Sequence, residues 1–235
     1  MIDLVNKNFL ITGGSSGLGK ATANYLIKEG ANVAITGRDV DKLHSVAKGI
    51  GAFAIHADVS KTEEVVKTYA SFLEKFGRLD GLINNAGIGG HRAELTDLDM
   101  EQMRKIFDVN VFGATMMAQH AAEIFKKQQH GEIINIASTA ASKGYPTGTA
   151  YVASKFALRG MTQCWQQELR RYNVRVVLIN PSEVPTAFGQ ADRKPREDEP
   201  NKLHSEDIAH AIVSTLKMDR RGYVPELTVH ATNPF

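Results

Sequence analysis

Short apolar runs alternate with longer amphipathic stretches along nearly the whole chain, and no other feature constrains its fold as strongly. Parallel strands need a crossover between them, so strand-like runs separated by helical stretches describe a parallel sheet flanked by helices. The spacing predicts strands at Asn8–Thr12, Asn32–Thr36, Phe53–His56, Leu79–Asn84, Glu132–Ala137, Val174–Asn180 and Leu227–Ala231. Helices are expected at Gly17–Glu29, Val40–Gly49, Thr62–Phe76, Asp99–Gln128, Thr149–Tyr172 and Glu206–Met218. About seven strands in a doubly wound α/β sheet of Rossmann type follow, with ligands expected at the carboxyl ends of the strands. No internal repeat or second domain interrupts the pattern, and at 235 residues the chain suits one domain, residues 1–235.

The turn after the first strand reads Thr12-Gly13-Gly14-Ser15-Ser16-Gly17-Leu18-Gly19. A tight turn needs residues without a Cβ, and the helix that begins there points its free amides at a phosphate. Ser15 and Ser16 add hydroxyl donors. Far downstream, Tyr151 and Lys155 are four residues apart, which places them on one helix face. A lysine beside a tyrosine favours the phenolate, so the hydroxyl is expected to be a better acid or base near neutral pH. A dinucleotide-phosphate turn and an activated tyrosine in one chain point to redox chemistry at a carbonyl.

These blocks, with Asn84-Asn85-Ala86-Gly87, Ser138 and Tyr151-Val152-Ala153-Ser154-Lys155, resemble the short-chain dehydrogenase/reductase family. The resemblance runs from about residue 8 to residue 186. Among its members, the chain is most similar to the 3-oxoacyl-[acyl-carrier-protein] reductase-like enzymes. The resemblance implies Tyr151 as proton donor or acceptor, Lys155 as its electrostatic partner and a ribose ligand, and Ser138 as the donor to the substrate oxygen. It implies that Asn110 holds a water in the proton relay. On the cofactor it places Gly13, Ser15, Ser16, Gly17, Leu18, Gly19, Asp58, Val59, Asn84, Ala86, Gly87, Pro181, Val184 and Thr186. Asn84 would also steady the central strand, and Asp58 read alone is equally a helix cap.

Which dinucleotide binds depends on the end of the second strand, where the chain reads Thr36-Gly37-Arg38. Glycine stands where the family's NAD-type acid would bond the ribose hydroxyls. Arg38 offers a forked donor to a phosphate monoester. NADP(H) is therefore expected, while Asp39 beside it leaves NAD(H) open. The substrate is expected to be a small carbonyl/alcohol pair or an acyl thioester. A broad-specificity carbonyl reductase is the near alternative. A nicotinamide-retaining isomerase or lyase and a non-enzymatic dinucleotide sensor are further ones.

The formal net charge of +2, without a long basic run, gives no support for nucleic-acid binding. The amino terminus lacks the pattern of a secretory signal, and no apolar run approaches the length of a membrane span. A cytoplasmic protein is expected. The eight histidines show no metal-ligand spacing, so no metal is expected, and His91 reads as a solvated loop residue near the substrate mouth. The single cysteine, Cys164, is expected to be a buried, inert thiol. Residues 190–200, charged and proline-containing, read as a solvated loop that could cover the substrate as a short polar lid. The resemblance further implies a homotetramer or homodimer through the helices around Asp99–Gln128 and Thr149–Tyr172.

Overall fold

A computed structural model of the chain describes residues 1–90, 92–188 and 199–234. Its strands are β1 (Asn8–Ile11), β2 (Asn32–Gly37), β3 (Phe53–His56), β4 (Gly81–Asn84), β5 (Gly131–Ile136), β6 (Val174–Pro181) and β7 (Glu226–Val229). The helices are α1 (Gly17–Lys28), α2 (Val40–Ile50), α3 (Thr62–Phe76), α4 (Met100–Phe107), α5 (Ala114–Gln128), α6 (Thr149–Leu169) and α7 (Ser205–Leu216). All strand pairs are parallel, in the order β3-β2-β1-β4-β5-β6-β7. The seven expected strands are all present, and their bounds shift by two residues or fewer.

Strict alternation along the strands supplies two apolar faces. Phe9, Ile11, Val33, Ile35, Ile83, Ile134, Ile136, Val177 and Ile179 belong to one core, together with Ala23 and Leu26 of α1 and Ile208 and Ile212 of α7. Leu10, Ala34, Leu82, Ile133 and Val176 turn the other way, onto Phe72 of α3 and Phe125 of α5. Both faces of the sheet are covered, which is why its strands read as apolar runs rather than as half-polar ones.

The strand order positions the site. The chain builds outward from β1 to β3, then returns to place β4 against the other side of β1. Loops leaving β1 and β4 therefore diverge and open a crevice at their carboxyl ends. A long helix expected from Asp99 to Gln128 is instead two helices joined by a π-helical segment, Asp108–Gly113. Asp99 caps α4, accepting from Glu101 N at 2.8 Å and Gln102 N at 3.2 Å. The widened turn buries Asn110 and brings Gly113 against β3's following loop, where a Cβ would fall 2.9 Å from Val59 Cγ2. Such wide turns recur at functional sites; in this one Val109 lines the crevice, while Asn110 is buried behind Gly87 and does not line it.

Cys164 departs from expectation. It is exposed, because α6 buries Leu158, Thr162, Gln166 and Leu169, and Cys164 lies on the opposite side of the helix. His91 and nearly all of the expected lid at 190–200 fall outside the described residues. No helix among the described residues is long and apolar enough to cross a membrane.

Candidate active site

A large cleft, about 1390 Å³, runs along the carboxyl edge of the sheet. Gly13 begins its floor with φ +64°, a left-handed conformation that glycine adopts without strain, and a Cβ there would meet Ala86 Cα at 3.0 Å. Gly19 stays beneath the turn, where a Cβ would fall 2.5 Å from Gly13 O, so it packs the turn rather than lining the cleft. Thr12 and Asn85 lock β1 to β4. Asn85 N and Ala86 N donate to Thr12 Oγ1 at 3.0 and 2.9 Å, and Asn85 Nδ2 donates to Thr12 O and Gly13 O at 2.9 and 3.1 Å. Neither locking residue was singled out from the sequence, although Thr12 opens the glycine turn and Asn85 lies in the quoted asparagine tract.

Ser15, Ser16, Gly17 and Leu18 line the cleft where α1 starts. Ser16, at the helix N-cap, makes no side-chain capping bond, so the first-turn amides have no side-chain partner there. That arrangement suits a pyrophosphate. Pro181, Val184 and Thr186 form the opposing wall, and a Cβ at Gly17 would meet Thr186 Cγ2 at 3.4 Å. Ala86, Gly87, Asp58 and Val59 also line the cleft. Asn84 does not; its side chain is buried, donating to Ala114 O at 2.9 Å and Asn135 Oδ1 at 3.1 Å. It holds the central strand to the neighbouring strand and α5.

Beyond β2, Arg38 lies 3.8 Å from Asp58 Oδ2 and is half exposed. Burial raises the Asp58 carboxyl, but bonds from Ser60 and the Arg38 charge more than offset it, and the group sits below its ordinary range. Asp39 also lines the cleft, and its Oδ1 caps α2, accepting from Lys42 N at 3.0 Å. Lys42 itself lines the cleft beside Arg38 and adds a second cation there. It went unnoticed in the sequence because it lies four residues on, inside a helix. The turn, the uncapped amides and the two cations fit a phosphorylated dinucleotide.

At the other half of the cleft, α6 presents Tyr151 and Lys155, and the segment after β5 presents Ser138. Ser138 hydrogen-bonds the Tyr151 phenol and also accepts from Ala140 N at 3.2 Å. Lys155 Nζ donates to Ile136 O at 2.9 Å and stands 5.7 Å from the Tyr151 ring centroid. Burial pushes Tyr151 up to about 12, with Ser138 opposing and Tyr145 reinforcing. Burial pulls Lys155 down to about 8. The Lys155 ammonium donates to the strand carbonyl and lies over the Tyr151 ring, and burial is the largest cause of both shifts.

Asn110 is tied down by its own side chain. Its Oδ1 accepts from Ile88 N at 2.8 Å, and its Nδ2 donates to Ile88 O at 3.0 Å and Ser154 Oγ at 3.1 Å. A Cβ at Gly87 would lie 3.3 Å from Asn110 Oδ1 and 3.8 Å from Lys155 Nζ, so the three positions converge. Two aromatic walls also escaped the sequence reading. Phe188 packs 5.6 Å from the Tyr151 ring, and Tyr145 lies close enough to raise the phenol. Their loops lack the periodicity that marks elements. Among the described residues no His, Cys, Asp and Glu group could hold a metal.

Known proteins share this fold. A family model described as short chain dehydrogenase matches residues 7–197. An uncharacterized oxidoreductase of Staphylococcus aureus strain MRSA252 is 34% identical over 236 residues, covering 97% of this chain and 99% of the relative. The structure of an alcohol dehydrogenase from Thermococcus sibiricus, complexed with 5-hydroxy-NADP, superimposes with a TM-score of 0.87 at 30% identity, covering 96% and 97% of the two chains. A 3-ketoacyl-(acyl-carrier-protein) reductase from Brucella melitensis, complexed with NADH, gives a TM-score of 0.88 at 29% identity, covering 99% and 100%.

Proposed function

The chain belongs to the short-chain dehydrogenases, and from that premise we propose that it is an NADP(H)-dependent oxidoreductase interconverting a ketone and a secondary alcohol. The observation that carries this reading is the meeting of Tyr151, Ser138 and Lys155 at one end of a cleft whose other end suits a phosphorylated dinucleotide. The nicotinamide, when bound, supplies or accepts the hydride. Ser138 positions the substrate oxygen, and Tyr151 gives that oxygen its proton. With its phenol pushed up to about 12, Tyr151 is fully protonated at working pH, which suits it to donate in the reductive direction. Lys155 holds charge behind the phenol and is placed to bond a ribose. Asn110 fixes the Ile88 backbone and the start of the relay, so any water it holds is bound through its main chain, since its amide is already engaged.

Arg38 and Lys42 support NADP(H) over NAD(H), the two cations meeting the 2′-phosphate. Replacing Arg38 with aspartate should lower kcat/KM for NADPH by roughly 10- to 100-fold, the worth of a charged hydrogen bond, and leave NADH nearly unaffected. Equal use of the two cofactors by the native chain would remove the assignment. An acyl thioester is the first substrate to try, in line with the Brucella neighbour. A general carbonyl reductase is supported by the aromatic walls, Tyr145 and Phe188. Turnover of simple diketones and aldehydes without the thioester would select the second reading.

Lys155 gives the reaction a pH signature. Its ammonium is lowered to about 8, so it is charged below that pH and neutral above. At limiting NADPH, where the free enzyme's groups are read, kcat/KM for ketone reduction should be level below about 8 and fall as pH rises through it. Lys155→Arg, which stays charged, should lose that falling limb; a wild-type profile flat to pH 10 would remove Lys155 from the reaction.

Phe112 in the π-helical segment and Phe156 on α6 are 56% and 45% exposed. They support assembly into a homodimer or homotetramer through these helices. Sedimentation of a monomer alone at micromolar concentration would refute it.

A further inference from the structure

Past Tyr151 the cleft leaves the cofactor's half and becomes cationic. Arg92 and Lys143 line it from two different loops, and neither has an ion-pair partner among the described residues. Among the described residues, the acid on that side, Glu183, has its carboxylate held by Lys202 at 3.0 Å, and His230 also lines the cleft.

Arg92 rests on a prepared surface. Its guanidinium lies 5.6 Å from the centroid of the Tyr145 ring. That ring is seated on bare backbone: a Cβ at Gly148 would fall 2.3 Å from it. Ala93 N donates to Thr147 O at 3.3 Å, which joins the loop of Arg92 to the loop of Tyr145. An arginine stacked on an aromatic ring keeps its edge N–H groups available for a ligand in its own plane. Lys143 follows the short 3-10 turn that begins beside Ser138, so it lies on the loop that also carries the donor to the substrate oxygen.

We propose that the substrate carries an anionic group, a carboxylate or a phosphate, and that Arg92 and Lys143 bind it. This assignment rests on the oxidoreductase reading and gives it a substrate class. A solvated pair of basic side chains would show no preference between charged and neutral ketones. A pair that binds an anion favours the charged member, and less so as salt screens it.

The test compares kcat/KM within matched pairs, with NADPH and the whole chain. One pair is 5-oxohexanoate and its methyl ester. The other is the 3-oxobutanoyl thioester of phosphopantetheine and that of dephosphorylated pantetheine. We expect the anionic member of at least one pair to be preferred by about 10-fold, with the ratio falling in added potassium chloride and toward unity in the Arg92→Gln/Lys143→Gln variant. Preference confined to the first pair identifies a carboxylate, and to the second a carrier phosphate. Equal turnover of charged and neutral members, or a ratio that survives the double substitution, overturns the assignment while leaving the oxidoreductase reading intact. Absence of NADPH oxidation with every ketone, neutral 2,3-butanedione included, overturns both.

Discussion

Tyr151→Phe should lower kcat for ketone reduction by roughly 10²- to 10⁴-fold, the usual worth of a positioned general acid. The ring stays, and with it the packing 5.6 Å from Phe188 and the contact with Lys155 Nζ at 5.7 Å. Only the hydroxyl that Ser138 addresses is removed. Affinity for NADPH and the unfolding midpoint should therefore stay near wild type while turnover collapses. Burial keeps the phenol protonated at neutral pH, the form that can donate to a substrate oxygen. Retention of kcat within a few-fold in this variant would mean that the proton reaches the oxygen by another route.

The largest stability effect lies at the opposite edge of the sheet. Glu132 of β5 and Arg175 of β6 are register partners, and both are buried. Arg175 Nε donates to both carboxylate oxygens at 2.9 Å. Its remaining nitrogens donate to Leu216 O at 3.2 Å, Met218 O at 3.1 Å and Gly222 O at 3.2 Å, at and beyond the end of α7. Burial pushes the Glu132 carboxyl up, and Arg175 and Arg220 restrain that rise. Arg175→Met would leave Glu132 in the core with Arg220 alone and free three carbonyls. Breaking one side of a buried pair costs about 3–5 kcal/mol, which urea unfolding reads directly. Removing both charges, as Glu132→Gln/Arg175→Met, should recover part of that loss. A single variant within 1 kcal/mol of wild type would show that the network carries little of the fold's stability.

The parts of this molecule that obey a period were legible without coordinates. Apolar runs separated by amphipathic stretches located all seven strands, and the four-residue spacing of Tyr151 and Lys155 placed both on α6. The glycine turn was legible as a tight bend leading into α1, because Gly13 and Gly17 take left-handed conformations that few other residues adopt. What escaped notice depends on contacts between distant segments. The π-helical segment at Asp108–Gly113 has an ordinary helical sequence and departs from α geometry where Asn110 fastens Ile88 and Gly113 meets Val59. Lys42 belongs to the cofactor end of the cleft only because α2 runs past Arg38. Tyr145 and Phe188 are loop aromatics whose meaning comes from Tyr151 lying beside them. Cys164 was misjudged because α6 is apolar on several sides, and its sequence alone leaves the buried face ambiguous. The directions of the Tyr151 and Lys155 proton affinities were set by burial, which spacing does not report.

Hydride transfer itself is tested most directly by isotope. The chain is given NADPH carrying deuterium on the transferable position of its nicotinamide, together with a ketone it consumes, and the product alcohol is examined by mass and proton resonance. The account predicts one deuterium per product molecule, on the carbinol carbon, with NADP formed in equal amount. Product that forms without label while the reduced cofactor persists would contradict it, and would make the bound dinucleotide an accessory to some other reaction.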